Sequence, residues 1–517
     1  MRLRKKYLLF AACIAVTGLC CKKWDDHVAV NEQPLNQTLQ EYINTQPSLS
    51  KFSEYLVKTA LDKVIGSSKN YTVWAPTNEA LNSLPQDVVN DTAKLKPWLL
   101  NHIAGQLYFT RMATDSLRIP MLNGKRINFF NKKFDDASIQ QADIYVKNGA
   151  LHIIDKVIEP LPSIWEYIQS TKTTIAQNSY IASLNYQMQD PSKAELDSIN
   201  PVTGEPVYKP GTGIVNINTF RTKVYDIGNE DSLYTYIELA NAAYLAEADK
   251  QKVFFKSPDA GFTIGNAYWN VAKDLVIKGR YSPEQLPSTL LSKFDVHISV
   301  NKADIVETRK ASNGIIYVVK AAAAPIEEKI PVVIVQGEDA VAIKSNEDKY
   351  ISKLFYRQRK NPLTGQSFND IYLNLGTNAS GANFFLDYIT NGLYTTKYKV
   401  YWVALNDKSI SGQDDGPYGT DSTLKQILQI SEDSARNYSP LSLPAEVKPY
   451  DYTEVLVGEY INDSYNWKLS YPESTPAGYS YKRNTATRRL RLQTPATLAT
   501  GIPYNLTLDY LKFVPVF

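Results

Sequence analysis

Tyr71–Leu81 reads YTVWAPTNEAL, and Asn148–Pro160 reads NGALHIIDKVIEP. The first stretch predicts a short strand that runs into a proline turn and then opens a helix. Tyr71, Val73 and Ala75 alternate with Thr72, Trp74 and Pro76, as in a strand covered on both faces. Pro76 lacks the N–H that a ladder needs. Thr77 or Asn78 supplies a side-chain oxygen to cap the helix begun by Glu79-Ala80-Leu81. In the second stretch Asn148-Gly149 predicts a tight turn, because glycine accepts a positive φ cheaply. Leu151, Ile153 and Val157 then predict a strand around Asp155. Between the two, Leu99-Leu100-Asn101-His102-Ile103 predicts a helix giving way to a strand.

The chain has 517 residues, room for roughly three domains at about 150 residues each. Its 44% hydrophobic and 21% charged residues are those of a globular protein. Tyrosine is abundant, 35 against 17 Phe and 7 Trp, which suits half-buried sheet positions where an apolar ring carries a polar tip. All three cysteines, Cys13, Cys20 and Cys21, lie at the N-terminus. Arg2, Arg4, Lys5 and Lys6 precede an apolar run from Tyr7 to Leu19, the pattern of a secretory signal too short for a comfortable membrane span. Removing residues 1–20 takes away four of the 56 basic residues and none of the 53 acidic ones. The remainder is near neutral, with no basic face to suggest nucleic acid.

Repetition is visible downstream. Leu233–Tyr244 sits where YTVWAPTNEAL would fall in a second copy, Tyr268–Val276 reads as its middle helix, and Ala311–Val319 repeats the Asn-Gly-strand pattern. The Pro-, Gly- and Asn-rich stretch around 186–220 predicts a long surface loop. Beyond residue 331 many short alternating segments separated by turns predict a β-sandwich.

The ordered segments at Tyr71–Leu81, Leu99–Ile103 and Asn148–Pro160 resemble the signature segments of the fasciclin domain, an extracellular interaction and adhesion module. The resemblance implies an α+β chain with two tandem fasciclin-like domains, the second degenerate, and Thr77, Asn78, His102, Asn148, Gly149 and Asp155 as structural motif residues. LTLDYLKFVPVF at the C-terminus is similar to the closing strand of jelly-roll, galactose-binding-like β-sandwiches. A cysteine closing an apolar signal resembles the lipobox of bacterial lipoproteins, with Cys21 acylated and Cys20 as the alternative. Lys22, Lys23, Asp25 and Asp26 resemble the surface-export signal of Bacteroidetes lipoproteins. The expected division is 1–20 signal peptide, 21–38 tether, 39–161 and 162–323 fasciclin-like domains, 324–331 linker and 332–517 sandwich.

No H-E-x-x-H, C-x-x-C, G-x-x-x-x-G-K-[ST] or G-x-S-x-G occurs. His102 and His152 fall on expected core elements and read as structural, so neither a metal nor another cofactor is expected. Asp414–Asp421 is acidic enough for a Ca²⁺ loop but reads better as a solvated turn. Six Asp-Ser/Thr triplets, Asp91-Thr92 among them, are similar to O-glycosylation sites and equally to helix caps. The expectation is binding without catalysis. The resemblance implies a lipid-anchored protein on the outer membrane, facing outward, as an accessory to a SusC/SusD-type TonB-dependent uptake complex that captures a glycan or peptide. The alternatives are an adhesin and, third, a glycan hydrolase within the sandwich.

Overall fold

The computed structural model describes residues 34–343, 352–377, 384–390, 392–407, 422–431, 437–441, 444–465 and 488–517. Cys20, Cys21, Lys22, Lys23, Asp25, Asp26 and the acidic stretch Asp414–Asp421 lie outside them. The chain is mixed α/β, with several sheets and no closed barrel among the described residues. It divides into two compact units. One runs to Ser163 and includes Asn229–Asp231 and Lys310–Asn313; the other holds Ile164–Gly228, Ser232–Arg309 and Gly314–Phe517.

In the first unit, β1 (Tyr71–Pro76) lies between β2 (Ile103–Ala104), antiparallel, and β4 (Gly149–Ile154), parallel. β3 (Ala137–Val146) pairs antiparallel with β4. Every residue of β1 is buried. Tyr71, Val73 and Ala75 pack with Leu39, Ile43, Phe52 and Leu56 of the N-terminal helices. Trp74 turns the other way, into Phe129, Phe134 and Ile154. Its ring stacks on Phe134 at 4.5 Å and meets Phe129 edge-on at 5.6 Å. Each such side chain contributes roughly 1.5–3 kcal/mol by leaving water.

Gly149 does not have a left-handed φ, so the turn argument for it fails. The reason for glycine is proximity. A Cβ there would lie 2.1 Å from the Tyr71 carbonyl oxygen and 2.8 Å from Leu39 Cδ1. The predicted helix after Pro76 is a 3₁₀ turn, Ala80–Ser83. Its N-cap position is Glu79, which makes no side-chain cap bond; Thr77, two residues earlier, accepts from the Ala80 N–H at 3.2 Å. Asn78 instead accepts from the Lys51 N–H at 2.9 Å, serving the start of helix Ser50–Lys58, which has no side-chain cap of its own. Asp91 caps helix Thr92–Leu100 by accepting from the Ala93 and Lys94 N–H groups, so this triplet has a helix-start role.

In the second unit, β5 (Tyr234–Leu239) is flanked by β6 (Val276–Lys278), antiparallel, and β8 (Gly314–Val319), parallel; the sheet ends in β7 (Ile305–Ala311). The strand order matches that of β2-β1-β4-β3. The register matches too: Tyr71 faces Gly149, and Tyr234 faces Gly314. A Cβ on Gly314 would lie 2.0 Å from the Tyr234 oxygen and 3.0 Å from Ile164 Cδ1. The middle helix is Ala260–Ala272, and Val276 belongs to β6.

The expected loop around 186–220 is two β-ribbons. Asn185–Gln189 pairs with Ile214–Asn218, and Leu196–Ile199 with Pro206–Tyr208. Its turn residues are confined to the connections, where Gly204, Gly211 and Gly213 take positive φ. The expected linker contains helix Ile326–Lys329, and Lys329 is buried. Its ammonium bonds Asp274 Oδ2 and the Asn270 carbonyl, both at 2.7 Å. Lys273 shares that carboxylate at 2.7 Å, and burial pushes its ammonium down to about 8.

Residues from Val333 onward form three sheets around one core. The first has the order β9 (Val333–Gln336), β19 (Tyr510–Val516), β13 (Lys397–Val403), β16 (Val455–Ile461). The second runs Ala342–Ile343, β12 (Phe385–Thr390), β17 (Arg488–Gln493), β14 (Leu424–Ser431), β15 (Ser439–Pro440), with Ala445–Val447 also on β14. The third is β10 (Leu354–Lys360), β11 (Ser367–Leu373), β18 (Leu506–Leu508). Trp402, Phe513, Tyr388, Leu490, Ile371 and Leu508 join all three in one cluster.

LTLDYLKFVPVF is not one strand. It changes sheets at Asp509, whose N–H donates to the Val403 carbonyl at 2.8 Å. Burial, then the charges of Asp370 and Glu338, raise the Asp509 carboxyl to about 7. Unfolded, it would titrate near 3.8. The folded state therefore holds the extra proton between those values, and stability falls as pH rises through that window. Asp509→Asn is expected to flatten this slope. It should raise stability by roughly 1–2 kcal/mol at pH 8, discounted for residual solvent access, and change little near pH 4. Melting temperatures across pH 4–8 check it; a variant as pH-sensitive as the parent would remove Asp509 from the account.

Candidate binding surfaces

The signature residues sit at both ends of the central strands and bond inward. Asn148 Oδ1 accepts from the Leu39 N–H at 2.8 Å, and its amide donates to the carbonyls of Ile65 and Ser67 at 2.7 Å. Asp155 Oδ1 accepts from the Ser138 N–H at 2.8 Å, tying the end of β4 to the start of β3. His102 is buried between two backbone groups. Nδ1 lies 2.8 Å from the Trp98 carbonyl, and Nε2 accepts from the Ile158 N–H at 2.9 Å. This assigns the neutral tautomer with the proton on Nδ1. His152 accepts from the Asp143 N–H and reaches the Tyr108 carbonyl at 3.0 Å. Thr77, Asn78, His102, Asn148, Gly149 and Asp155 thus form no common cleft. They hold the strand ends in place.

Burial pushes the His102 imidazolium down to about 4, against 6.5 for a free ring. Below pH 6.5 the unfolded chain binds the proton and the folded chain does not. The histidine's stabilising contribution is complete above that pH and is lost as pH falls toward 4. The loss is expected to reach roughly 2–3 kcal/mol. Denaturant titrations from pH 4 to 7, with His102→Asn flattening the slope, check it; an unchanged slope in the variant would contradict the assignment.

Two other features escaped sequence reading. The second unit buries Glu238 on β5, where β1 has Ala75. Its carboxylate accepts from Tyr167 Oη at 3.2 Å and Asn178 Nδ2 at 2.8 Å. Burial raises its carboxyl above the usual range.

The second feature is a groove of about 530 Å³ where β14 and β15 face β16. Ile430 and Leu441 supply its apolar floor. Consecutive residues line each wall: Ser439 and Pro440, with Asn437, on one side, and Glu459, Tyr460 and Ile461 on the other. Consecutive lining means that the groove runs along strand edges, since side chains on one face alternate. The walls are fixed from behind. Arg488, buried, donates to Tyr460 Oη at 3.1 Å and to Asn462 Oδ1 at 2.8 Å. Arg491 grips Asp387 at 2.7 and 2.9 Å between the rings of Phe385 and Tyr438. A concave site with an apolar floor and polar rim suits binding. No cluster of metal-ligating side chains occurs among the described residues, and no helix among them is long and apolar enough to cross a membrane.

The first unit is thus a helix-backed sheet whose characteristic residues are scaffold. Residues 47–160 are a fasciclin domain. Over 140 residues the chain is 26% identical to human periostin (Homo sapiens), covering 24% of this chain and 16% of periostin. Over 116 residues it is 32% identical to protein sll1483 of Synechocystis sp., covering 20% of this chain and 63% of that protein. Among solved structures, a FAS1 domain pair from the insect cell adhesion molecule fasciclin I matches at TM-score 0.22 and 16% identity, covering 55% of this chain and 99% of that one.

Proposed function

We propose that the protein is a surface-displayed lipoprotein that acts by binding, without catalysis, as an accessory subunit of a SusC/SusD-type TonB-dependent uptake complex. The match of residues 47–160 to the fasciclin domain supports a binding role for the chain. The matched strand order and register of β5–β8 support reading the second unit's first part as a degenerate fasciclin-like copy. The shared core of the three C-terminal sheets supports the jelly-roll-like sandwich. Cys21, the lysines and acids that follow it, and the apolar stretch before it support acylation and outward display on the outer membrane.

The experiment is extraction of the native protein from its membrane in mild detergent, alongside a Cys21→Ala strain. Copurification with a large β-barrel receptor, and release of the variant from the membrane, support the reading. A protein that always extracts alone, in a strain whose cells lose attachment when it is deleted, makes it an adhesin instead.

A further inference from the structure

We propose that the groove between β15 and β16 takes an extended polypeptide segment, which adds to β16 as a further strand. This rests on the binding role above and names the class of ligand.

Among the described residues, β16 is the terminal strand of its sheet, and β15 is the terminal strand of the next. The direction of the backbone groups on β16 follows from the ladder. Ile461 faces Lys397, Tyr460 faces Tyr398 and Glu459 faces Lys399. The Asn462 N–H donates to the Thr396 carbonyl at 3.0 Å. That bond flanks the Ile461–Lys397 pair, which is therefore a non-hydrogen-bonded pair. Alternation makes Tyr460–Tyr398 the bonded pair and Glu459–Lys399 non-bonded again. Glu459 and Ile461 thus turn their N–H and C=O groups away from β13, toward the groove they line. Among the described residues, no hydrogen bond engages these four groups. They stand roughly 7 Å apart along the strand, the repeat of every second residue.

An added strand presents the same repeat of donor and acceptor, so its backbone matches this edge. Asn437 is the one amide side chain among the lining residues, and Tyr460, 7% exposed, presents no free ring face to a sugar, whereas the β16 wall offers main chain. The opposite edge is closed to such pairing, since Pro440 in β15 has no N–H to give. β16 carries neither proline nor lysine, the usual protections of an exposed edge. It has the Glu459 carboxylate, already paired with Lys397, and the irregularity beside Gly458, where Leu441 closes in. Leu456 and Ile461 are 52% and 61% exposed. Alternate residues of the ligand would face these two and the floor at Ile430 and Leu441. The fitting segment is therefore apolar at alternate positions and uncharged opposite the Glu459–Lys397 ion pair.

The test selects random dodecapeptides displayed on phage against the full chain. Enriched peptides should alternate apolar residues and bind Ile461→Pro at least about tenfold more weakly than the parent, because one outward donor is gone. Ile461→Ala, which keeps the donor, should weaken binding far less. The proline removes no bond to β13, and a melting curve checks its fold. Should it misfold, N-methylation along the selected peptide gives the same answer on the parent protein, with losses at alternate positions only. No enrichment, equal binding to Ile461→Pro, or methylation losses without alternation would overturn the proposal. Failure here with receptor copurification retained removes the peptide and leaves the binding role; loss of both removes the two readings together.

Discussion

Gly149→Ala is expected to unfold the first unit or cost it about 4 kcal/mol or more, among the largest single-site effects in the chain. The added methyl would stand 2.1 Å from the Tyr71 carbonyl oxygen. That oxygen belongs to the parallel pair at the centre of the sheet, and neither strand has room to retreat. Each residue of β1 and of β4 beyond Gly149 is buried, and close-packed interiors transmit such displacements. The usual gain in helix or strand propensity from Gly to Ala is under about 1 kcal/mol and cannot offset the overlap. Gly314→Ala should behave alike in the second unit, where the distance to the Tyr234 oxygen is 2.0 Å. Calorimetry of the full chain reads both, because each variant should abolish or lower a transition while Gly124→Ala, at a site with open space around it, shows what a strained surface glycine alone costs. A Gly149→Ala chain that melts within a degree or two of the parent would refute the close-approach explanation.

The second large effect is expected at Asp370. Its carboxylate is wholly buried and takes Arg357 through both oxygens, with Arg359 Nη1 at 3.1 Å. The two guanidiniums are nearly as deep, their side chains 8% and 1% exposed. Asp370→Asn leaves two buried guanidiniums without the carboxylate that both of them grip, an expected loss of about 3–5 kcal/mol. The comparable change at Asp274 should be milder. Lys273, already down to about 8, can release its proton, whereas a guanidinium cannot. Urea unfolding of the two variants at pH 7 and pH 9 distinguishes them. Asp274→Asn should recover stability at the higher pH and Asp370→Asn should not; equal behaviour would show that deprotonation is not the relief.

The central strands were legible because apolar runs there are punctuated by Pro76, Gly149 and Gly314. Turn propensity points to Gly149 for the wrong cause, since a sequence does not show which carbonyl lies opposite. The ribbons at 185–218 were hidden by their own connections, whose Asn, Gly and Pro outweighed the short alternation of Tyr186 and Met188. β14 escaped notice because LKQILQIS alternates apolar residues with Gln, and Gln426 is buried, donating to the Thr507 carbonyl at 3.0 Å. The groove had no signature to find. Its distinctive wall is main chain, and its two sides come from segments that only the sheet order brings together.

The parallel pairing of β1 with β4, and of β5 with β8, also dictates when each unit can fold. Tyr71 waits for Gly149 and Tyr234 for Gly314. The centre of each of these sheets is thus closed by the strand that comes last in sequence within it, a contact of long sequence separation whose loop-closure entropy must be met before any packing rewards it. A nascent chain emerging N-terminus first can make the early helices but not a core. Truncation anywhere before residue 149 should leave an aggregation-prone fragment without a central strand pair.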